Sequence, residues 1–313
     1  MKIVRYVGFL TLNLFLRWPI WTLLFVLRPF EIFKYLFLVY PGTDSDLDGY
    51  CPRWLAKSWV FSKKPTIGGF ISGGGLVLVV PNTVHDFKNG EKVSEEVVRR
   101  MVKIKNLTKA KAIALAGQLP GVVSRKGIPI GNPIVQGNKG TVFSVMETLN
   151  EAVNKHNINL KEAKVALIGV GYVGQLLLES LEKEGCHPIG VDVHGTPYYE
   201  NRGAVSCADI VIVLTAKGSD FAPYAKELKE GAIVIDDTHP RIREKPEGIF
   251  FYKVALGLKG VNFTPRLPGY HNDWIPGCVV EAIVASATGS FNGEQSDFNQ
   301  RAKELGFFAH MVQ

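Results

Sequence analysis

The sequence predicts a two-lobed α/β chain, with an amino-terminal α/β catalytic lobe, a carboxyl-terminal lobe on a doubly wound parallel sheet, and an apolar helical extension in front of both. Three observations carry this. Apolar runs of strand length alternate with helical patterns from Leu76 onward. One of these runs, Lys164 to Gly169, leads directly into a glycine-rich turn and a helix. At 313 residues the chain is also long enough for two lobes that each bury a core.

Taken in order, residues 1–60 form the apolar segment. Tyr6 to Leu27 is almost wholly apolar, a length that could span a bilayer as one helix. Arg17 at its middle would cost about 2.5 to 3.5 kcal/mol there, and Pro19 would break the hydrogen-bond ladder. Pro19 and Pro29 instead suit the first turns of short helices, giving three in succession. Lys2, Arg5, Arg17, Arg28 and Lys34 recur among Trp18, Trp21 and Tyr35, a pattern suited to helices lying on a membrane surface, with a transmembrane anchor or simple packing under the next lobe as alternatives. The expected location is cytoplasmic and membrane-associated.

Residues 61–160 form the first lobe. Leu76–Val80 and Ala110–Ala116 read as strands, and a helix from Ser94, its cap, to Lys105 lies between them. Gly68-Gly69 and Gly73-Gly74-Gly75 flank the first strand and make turns or cradle phosphate. Leu119 to Lys139 reads as a long loop of the kind found at binding sites, with Asn138 a candidate cofactor contact. From Thr141 to His156, Val142, Val145, Leu149 and Val153 share one face of a helix.

Residues 161–262 carry the sharpest motif. The strand Lys164–Gly169 runs into Gly169-Val-Gly171-Tyr172-Val173-Gly174 and a helix over Gln175–Glu184. Gly169 permits the tight turn, Gly171 admits a pyrophosphate to the backbone, and Gly174 lets helix and strand pack closely. A second strand, His187–Val193, carries Asp192, where an acid can accept hydrogen bonds from a ribose 2′-hydroxyl. Two more strands, Asp209–Leu214 and Ala232–Asp236, complete a parallel Rossmann pattern, with Thr215 facing the crevice. The implied cofactor is NADH or NADPH, with Asp192 favouring the former and His194 keeping the latter open.

Reactive residues must come from elsewhere in the crevice. In Asp236-Asp237-Thr238-His239-Pro240-Arg241, His239 could donate a proton and Arg241 bind an anion, or the segment could be a plain turn. In the final segment, 263–313, Pro276-Gly277-Cys278 precedes an apolar helix that sets Cys278 in its first turn, where thiolate is stabilised. Glu281 follows on the same face as a candidate proton acceptor. A last helix, Ser296–Leu305, buries Phe298, Ala302 and Leu305. Cys51, Cys186, Cys207 and Cys278 have neither disulfide-framework nor zinc spacing, so no metal is expected. A net charge of +7 draws anions, yet no basic helix or basic-aromatic module points to nucleic acid.

Ala114-Leu115-Ala116-Gly117, the Gly137-Asn138 segment, the glycine loop, Ile235-Asp236 through Pro240-Arg241, and Gly277-Cys278-Val279-Val280-Glu281-Ala282 together resemble the long-chain acyl-[acyl-carrier-protein] reductases. The resemblance implies that Cys278 takes an acyl group from a carrier-protein or CoA thioester, and that reduced nicotinamide releases it as aldehyde. Two other readings stay open: a cysteine-independent dehydrogenase of the shikimate or methylene-tetrahydrofolate dehydrogenase type, and a membrane-docked NAD(P)-binding protein without enzymatic activity. Oligomeric state is not legible.

Overall fold

The computed structural model describes residues 17–42, 62–90, 92–129, 132–192, 198–289 and 293–312, with 7, 10, 11, 15, 47, 54, 57 and 58. The chain divides into two compact units. The first comprises Met1–Gly137, Gly260–Leu267 and Cys278–Arg301; the second comprises Asn138–Lys259, Pro268–Gly277 and Ala302–Gln313.

The first unit begins with helix α1, Arg17–Val26, and a 3₁₀ turn, Arg28–Phe30. Leu24 is buried, with Ile20 and Trp21 packed beside it on the core of this unit. Leu23, Phe25 and Val26 on the other side are exposed. Among the described residues, no helix is long and apolar enough to cross a membrane. The third helix expected before residue 41 is instead a strand. Tyr35–Val39 forms β1, buried over its first four residues.

Strands β2 (Thr66–Ile71) and β3 (Gly75–Val79) follow, then helices α2 (Val84–Asn89) and α3 (Val93–Thr108), strand β4 (Ala112–Leu115) and helix α4 (Leu119–Arg125). Strand β1 lies between β3 and β4 and is parallel to both, with Leu36 opposite Leu76 and Ile113. Its burial on both faces explains its unbroken apolar run. Ser94 does not cap α3. Lys92 holds that position, and Ser94 is buried with its hydroxyl donating to the Phe87 carbonyl. The predicted loop 119–139 contains regular structure, since α4 occupies its start, Ile134 bridges to Ile113 and a helix begins at Asn138. Leu36, Leu38, Leu76, Leu78, Val97, Met101, Ile113 and Val123 form the core.

The second unit opens with α5, Asn138–Lys155, whose predicted apolar face, Val142, Val145, Leu149 and Val153, is buried. It continues through β5 (Val165–Ile168), α6 (Tyr172–Lys183), β6 (Ile189–Val191), β7 (Ile210–Val213), β8 (Ile233–Asp236) and β9 (Phe250–Lys253). The sheet order is β6-β5-β7-β8-β9, parallel throughout. Leu167, Ile212 and Ile235 face one core with α5 and α6, while Ile168, Val211 and Val234 face another with Phe221 and Tyr224. This is the doubly wound Rossmann arrangement, whose strand order reverses beside β5, so that ligands are met at the carboxyl ends of β5 and β7.

The chain then returns to the first unit. Strand β10, Phe263–Thr264, pairs antiparallel with β2. Helix α7, Gly277–Thr288, follows, with Val279, Val280, Ile283 and Val284 buried and Ala287 exposed. In helix α8, Gln295–Leu305, Phe298 and Ala302 are buried. Leu305, predicted to be buried, is 36% exposed at its final turn.

Candidate functional site

In the second unit the glycine loop is shaped by close backbone contacts at two of its three glycines. Gly169 has φ +100°, and a Cβ there would lie 3.0 to 3.2 Å from the Leu214 and Thr215 backbone. Only glycine combines that dihedral with that contact. Gly174 sits where a Cβ would come 2.3 Å from the Gly169 carbonyl oxygen, so helix α6 rests directly on the loop. Gly171 caps α6 with an ordinary φ of −74°, and a Cβ there would meet nothing within 4 Å. Steric demand within the chain therefore explains Gly169 and Gly174 but leaves Gly171 opening onto empty space at a helix amino terminus. The first turn of α6 holds no acid to repel phosphate. Tyr172 is exposed beside the loop and Val173 is half-buried.

Asp192 stands at the end of β6, and its Oδ2 accepts the Val170 N–H at 2.9 Å. The ribose-binding candidate thus also braces the loop. Thr215 follows β7 against Gly169, its hydroxyl donating to the Lys217 carbonyl. Asn138, also in this unit, is the buried first residue of α5. His194 lies outside the described residues.

The loop after β8 lies two strands along the sheet from β5. Asp236 accepts hydrogen bonds from the Thr238 N–H and hydroxyl and from the Ile242 N–H. The buried Lys253 ammonium donates to the carbonyls of Asp236 and Thr238. Asp237 is half-buried beside this network, and burial, opposed by Lys253 and reinforced by Asp236, pushes its carboxyl up to about 6. His239 is exposed, its ring centroid 5.1 Å from that of Tyr270, and Arg241 is exposed as well. Asp236 and Thr238 do more than form a turn, because their hydrogen bonds fix the loop.

In the first unit a different cluster assembles at the carboxyl ends of β1 and β4. Tyr40 follows β1, and its hydroxyl oxygen accepts the Gln118 N–H at 3.1 Å. Gly117, at φ +52°, leaves room for that oxygen, since a Cβ there would lie 3.1 Å from it. Burial, with a contribution from the neighbouring Cys278, pushes the Tyr40 phenol up to about 12, so it stays protonated. Cys278, in the first turn of α7, is partly exposed. Its Cβ and Cα would lie 2.9 and 3.3 Å from a Cβ at Gly137, which has φ +80°. Glu281 is buried, and its Oε1 accepts the Gln136 N–H at 3.1 Å. That bond makes Glu281 a brace for the segment that carries Gly137 under Cys278.

Neither a protein-family model nor a curated protein sequence matches this chain. It is similar in structure to the malic enzyme of Entamoeba histolytica, at 16% identity and a TM-score of 0.48, covering 95% of this chain and 74% of that one. The malic enzyme of Pyrococcus horikoshii gives 15% identity and a TM-score of 0.45, with 88% and 70% covered. A Trypanosoma brucei methylenetetrahydrofolate dehydrogenase-cyclohydrolase, solved with NADP and an inhibitor, gives 14% and 0.40, with 92% and 93% covered.

The sequence-predicted residues therefore fall into two groups. Gly169, Gly171, Tyr172, Val173, Gly174, Asp192 and Thr215 come together around one loop of the second unit, with His239 on another loop of the same unit. Cys278 and Glu281 come together in the first unit with Gly137, Tyr40 and Gln118. Tyr40 is the member that sequence reasoning misses. The other described thiols, Cys186 and Cys207, have different surroundings. Cys186 is buried, which pushes its thiol up, Cys207 is exposed beside Ser206, and Cys51 lies outside the described residues.

Proposed function

We propose that this chain is a nicotinamide-dependent oxidoreductase, and that its first unit uses Cys278 to reduce an acyl thioester to an aldehyde. The observation that carries the cofactor reading is Gly171, a glycine that no contact or dihedral of the chain requires, set at the amino terminus of α6. A pyrophosphate would occupy the space a side chain would fill, held by the α6 N–H groups, with Asp192 toward the ribose. Bound there, the reduced cofactor supplies hydride.

The thiol reading rests on the setting of Cys278. It lies in the first turn of α7, with the Gly137 backbone packed closely against it and Tyr40 near enough for their charges to interact. Its thiolate would attack the thioester carbonyl, forming a new S–C bond while the carrier's thiolate leaves and takes a proton. With hydride from a bound reduced nicotinamide delivered to the acyl carbon, Cys278 would be expelled as thiolate and the acyl group released as aldehyde. The resemblance noted in the sequence supports a long-chain acyl group carried on a carrier protein or CoA. The exposed Leu23, Phe25, Val26 and Phe30 of the amino-terminal helical segment support docking on a membrane surface.

Tyr40 favours a second reading. A phenol that stays neutral can donate a hydrogen bond to a substrate oxygen without any thiol, which suits a cysteine-independent dehydrogenase of the methylene-tetrahydrofolate or shikimate type. Oxidation of NADH and NADPH followed with acyl-CoA substrates, in the wild type and in Cys278→Ala, separates the two. Loss of turnover with cofactor binding intact supports the thioester route. Retained turnover removes Cys278 from the chemistry and favours the cysteine-independent reading.

A further inference from the structure

Lys253 ends β9 and is buried, yet no step assigned to this chain uses its charge. An ammonium withdrawn from water is costly unless its protons find acceptors, and a methionine would fill the same space without that cost. Here the ammonium donates to the Asp236 carbonyl at 2.9 Å and to the Thr238 carbonyl at 2.8 Å, and its nitrogen lies 4.0 Å from Asp236 Oδ1. What the charge secures is therefore backbone, at the end of β8 and in the first turn of the loop that follows it.

That segment is joined to a second loop. The Thr238 hydroxyl lies 2.6 Å from Asp236 Oδ1 and 3.2 Å from the Pro240 carbonyl oxygen, and the same carbonyl accepts the Gly218 N–H at 2.8 Å. Gly218 belongs to the loop after β7. A Cβ there would come 2.3 Å from the Ile242 nitrogen and 2.5 Å from the Arg241 carbonyl carbon, so the two loops meet backbone to backbone with no room for a side chain. The loop after β7 begins in turn at Leu214 and Thr215, against which Gly169 packs. A continuous ridge thus runs along the carboxyl ends of the sheet from the glycine loop to Lys253. Asp192 stands on the other side of the glycine loop, at the end of β6. A dinucleotide with its pyrophosphate on that loop and its adenosine ribose toward Asp192 has its other half over the ridge.

We propose that Lys253 is a positioning residue, whose buried ammonium fixes the joined loops after β7 and β8 as the seat of the nicotinamide half of the cofactor. The inference rests on the nicotinamide reading of the glycine loop. ADP-ribose and NADH carry the same pyrophosphate charge and only NADH carries the nicotinamide, so the pair separates a lost seat from a lost charge. Titration calorimetry of the full chain with each ligand, with NADH emission recorded alongside, compares the wild type with Lys253→Met, which keeps the side-chain volume. Thr238→Val, which removes the hydroxyl link to Pro240, serves as the second variant should the first fail to fold. The wild type is expected to bind NADH more tightly than ADP-ribose. A folded variant is expected to hold ADP-ribose to within about twofold while its NADH affinity falls about fivefold or more and the emission change of the bound nicotinamide shrinks. A folded variant that binds NADH as the wild type does, one that weakens both ligands equally, or a wild type that binds NADH no more tightly than ADP-ribose overturns the proposal and leaves the glycine-loop reading standing. A wild type that binds neither ligand overturns both.

Discussion

Gly171→Ala and Gly174→Ala differ by one methyl each and lie three residues apart, yet the structure gives them opposite consequences. At Gly174 the new Cβ would sit 2.3 Å from the Gly169 carbonyl oxygen and 3.2 Å from Leu167 Cδ2, about 1 Å inside ordinary contact with the former. Helix α6 must lift from the loop, and overpacking of this kind costs about 1 to 3 kcal/mol. At Gly171 the methyl meets nothing within 4 Å and φ is −74°. Stability should therefore move by less than about 1 kcal/mol, since reduced freedom of the unfolded chain offsets a poorer helix cap. The same methyl occupies the ground where a pyrophosphate would approach the α6 N–H groups, so NADH affinity should fall at least tenfold, about 1.4 kcal/mol. Urea unfolding followed by circular dichroism gives the first quantity, and fluorescence titration with NADH gives the second. A Gly171→Ala protein that binds NADH like the wild type would refute the reading of this loop.

Asp237 supplies a pH test. Its carboxyl is raised from 3.8 to about 6 in the folded chain, so the folded state holds the proton more tightly than the unfolded state does. The resulting penalty is absent below about pH 4, grows as pH rises toward 6, and is complete above it. Asp237→Asn should therefore be more stable than the wild type at pH 8 by about 1 to 3 kcal/mol and nearly equal to it at pH 4, as measured by urea unfolding at the two pH values. Glu281→Ala should cost about 1 to 3 kcal/mol, because the Gln136 N–H loses its carboxylate partner, whereas Glu281→Gln keeps an acceptor and most of the stability; thermal unfolding distinguishes them. Tyr40→Phe removes the acceptor for the Gln118 N–H and should cost about 0.5 to 1.5 kcal/mol. Ultraviolet titration of the wild type against this variant should show Tyr40 ionising only near pH 12, above the ordinary tyrosine range.

The second unit was the more legible of the two. Its strand, glycine turn, helix and second strand are consecutive, so local spacing was enough to place Gly169, Gly171, Gly174 and Asp192, and β5 to β8 fall within a few residues of their predicted positions. The fifth strand, Phe250–Lys253, has no such motif beside it. In the first unit the sequence points to helix where β1 forms, because a strand buried on both faces shows no alternation and an apolar run of that length fits either structure. Tyr40 was invisible for a different reason. Its partner Gln118 is 78 residues away, and its contact with Cys278 depends on the return of the chain into the first unit. The place of Cys278 ahead of an apolar helix is legible locally, whereas the bond from Gln136 to Glu281 spans 145 residues and no local pattern announces it. The caps show the same limit: Ser94 looks like a cap in sequence, but the left-handed Lys92 turns the chain two residues earlier and leaves Ser94 to satisfy the Phe87 carbonyl.

The most direct test of the account is intact-mass spectrometry of the purified chain mixed with a long-chain acyl thioester, first alone and then with NADH or NADPH. The account predicts one acyl adduct, located at Cys278 by peptide mapping and absent from Cys278→Ala, that disappears with release of aldehyde when either cofactor is added. A folded, cofactor-binding chain that forms no adduct, or whose adduct survives Cys278→Ala, would contradict it.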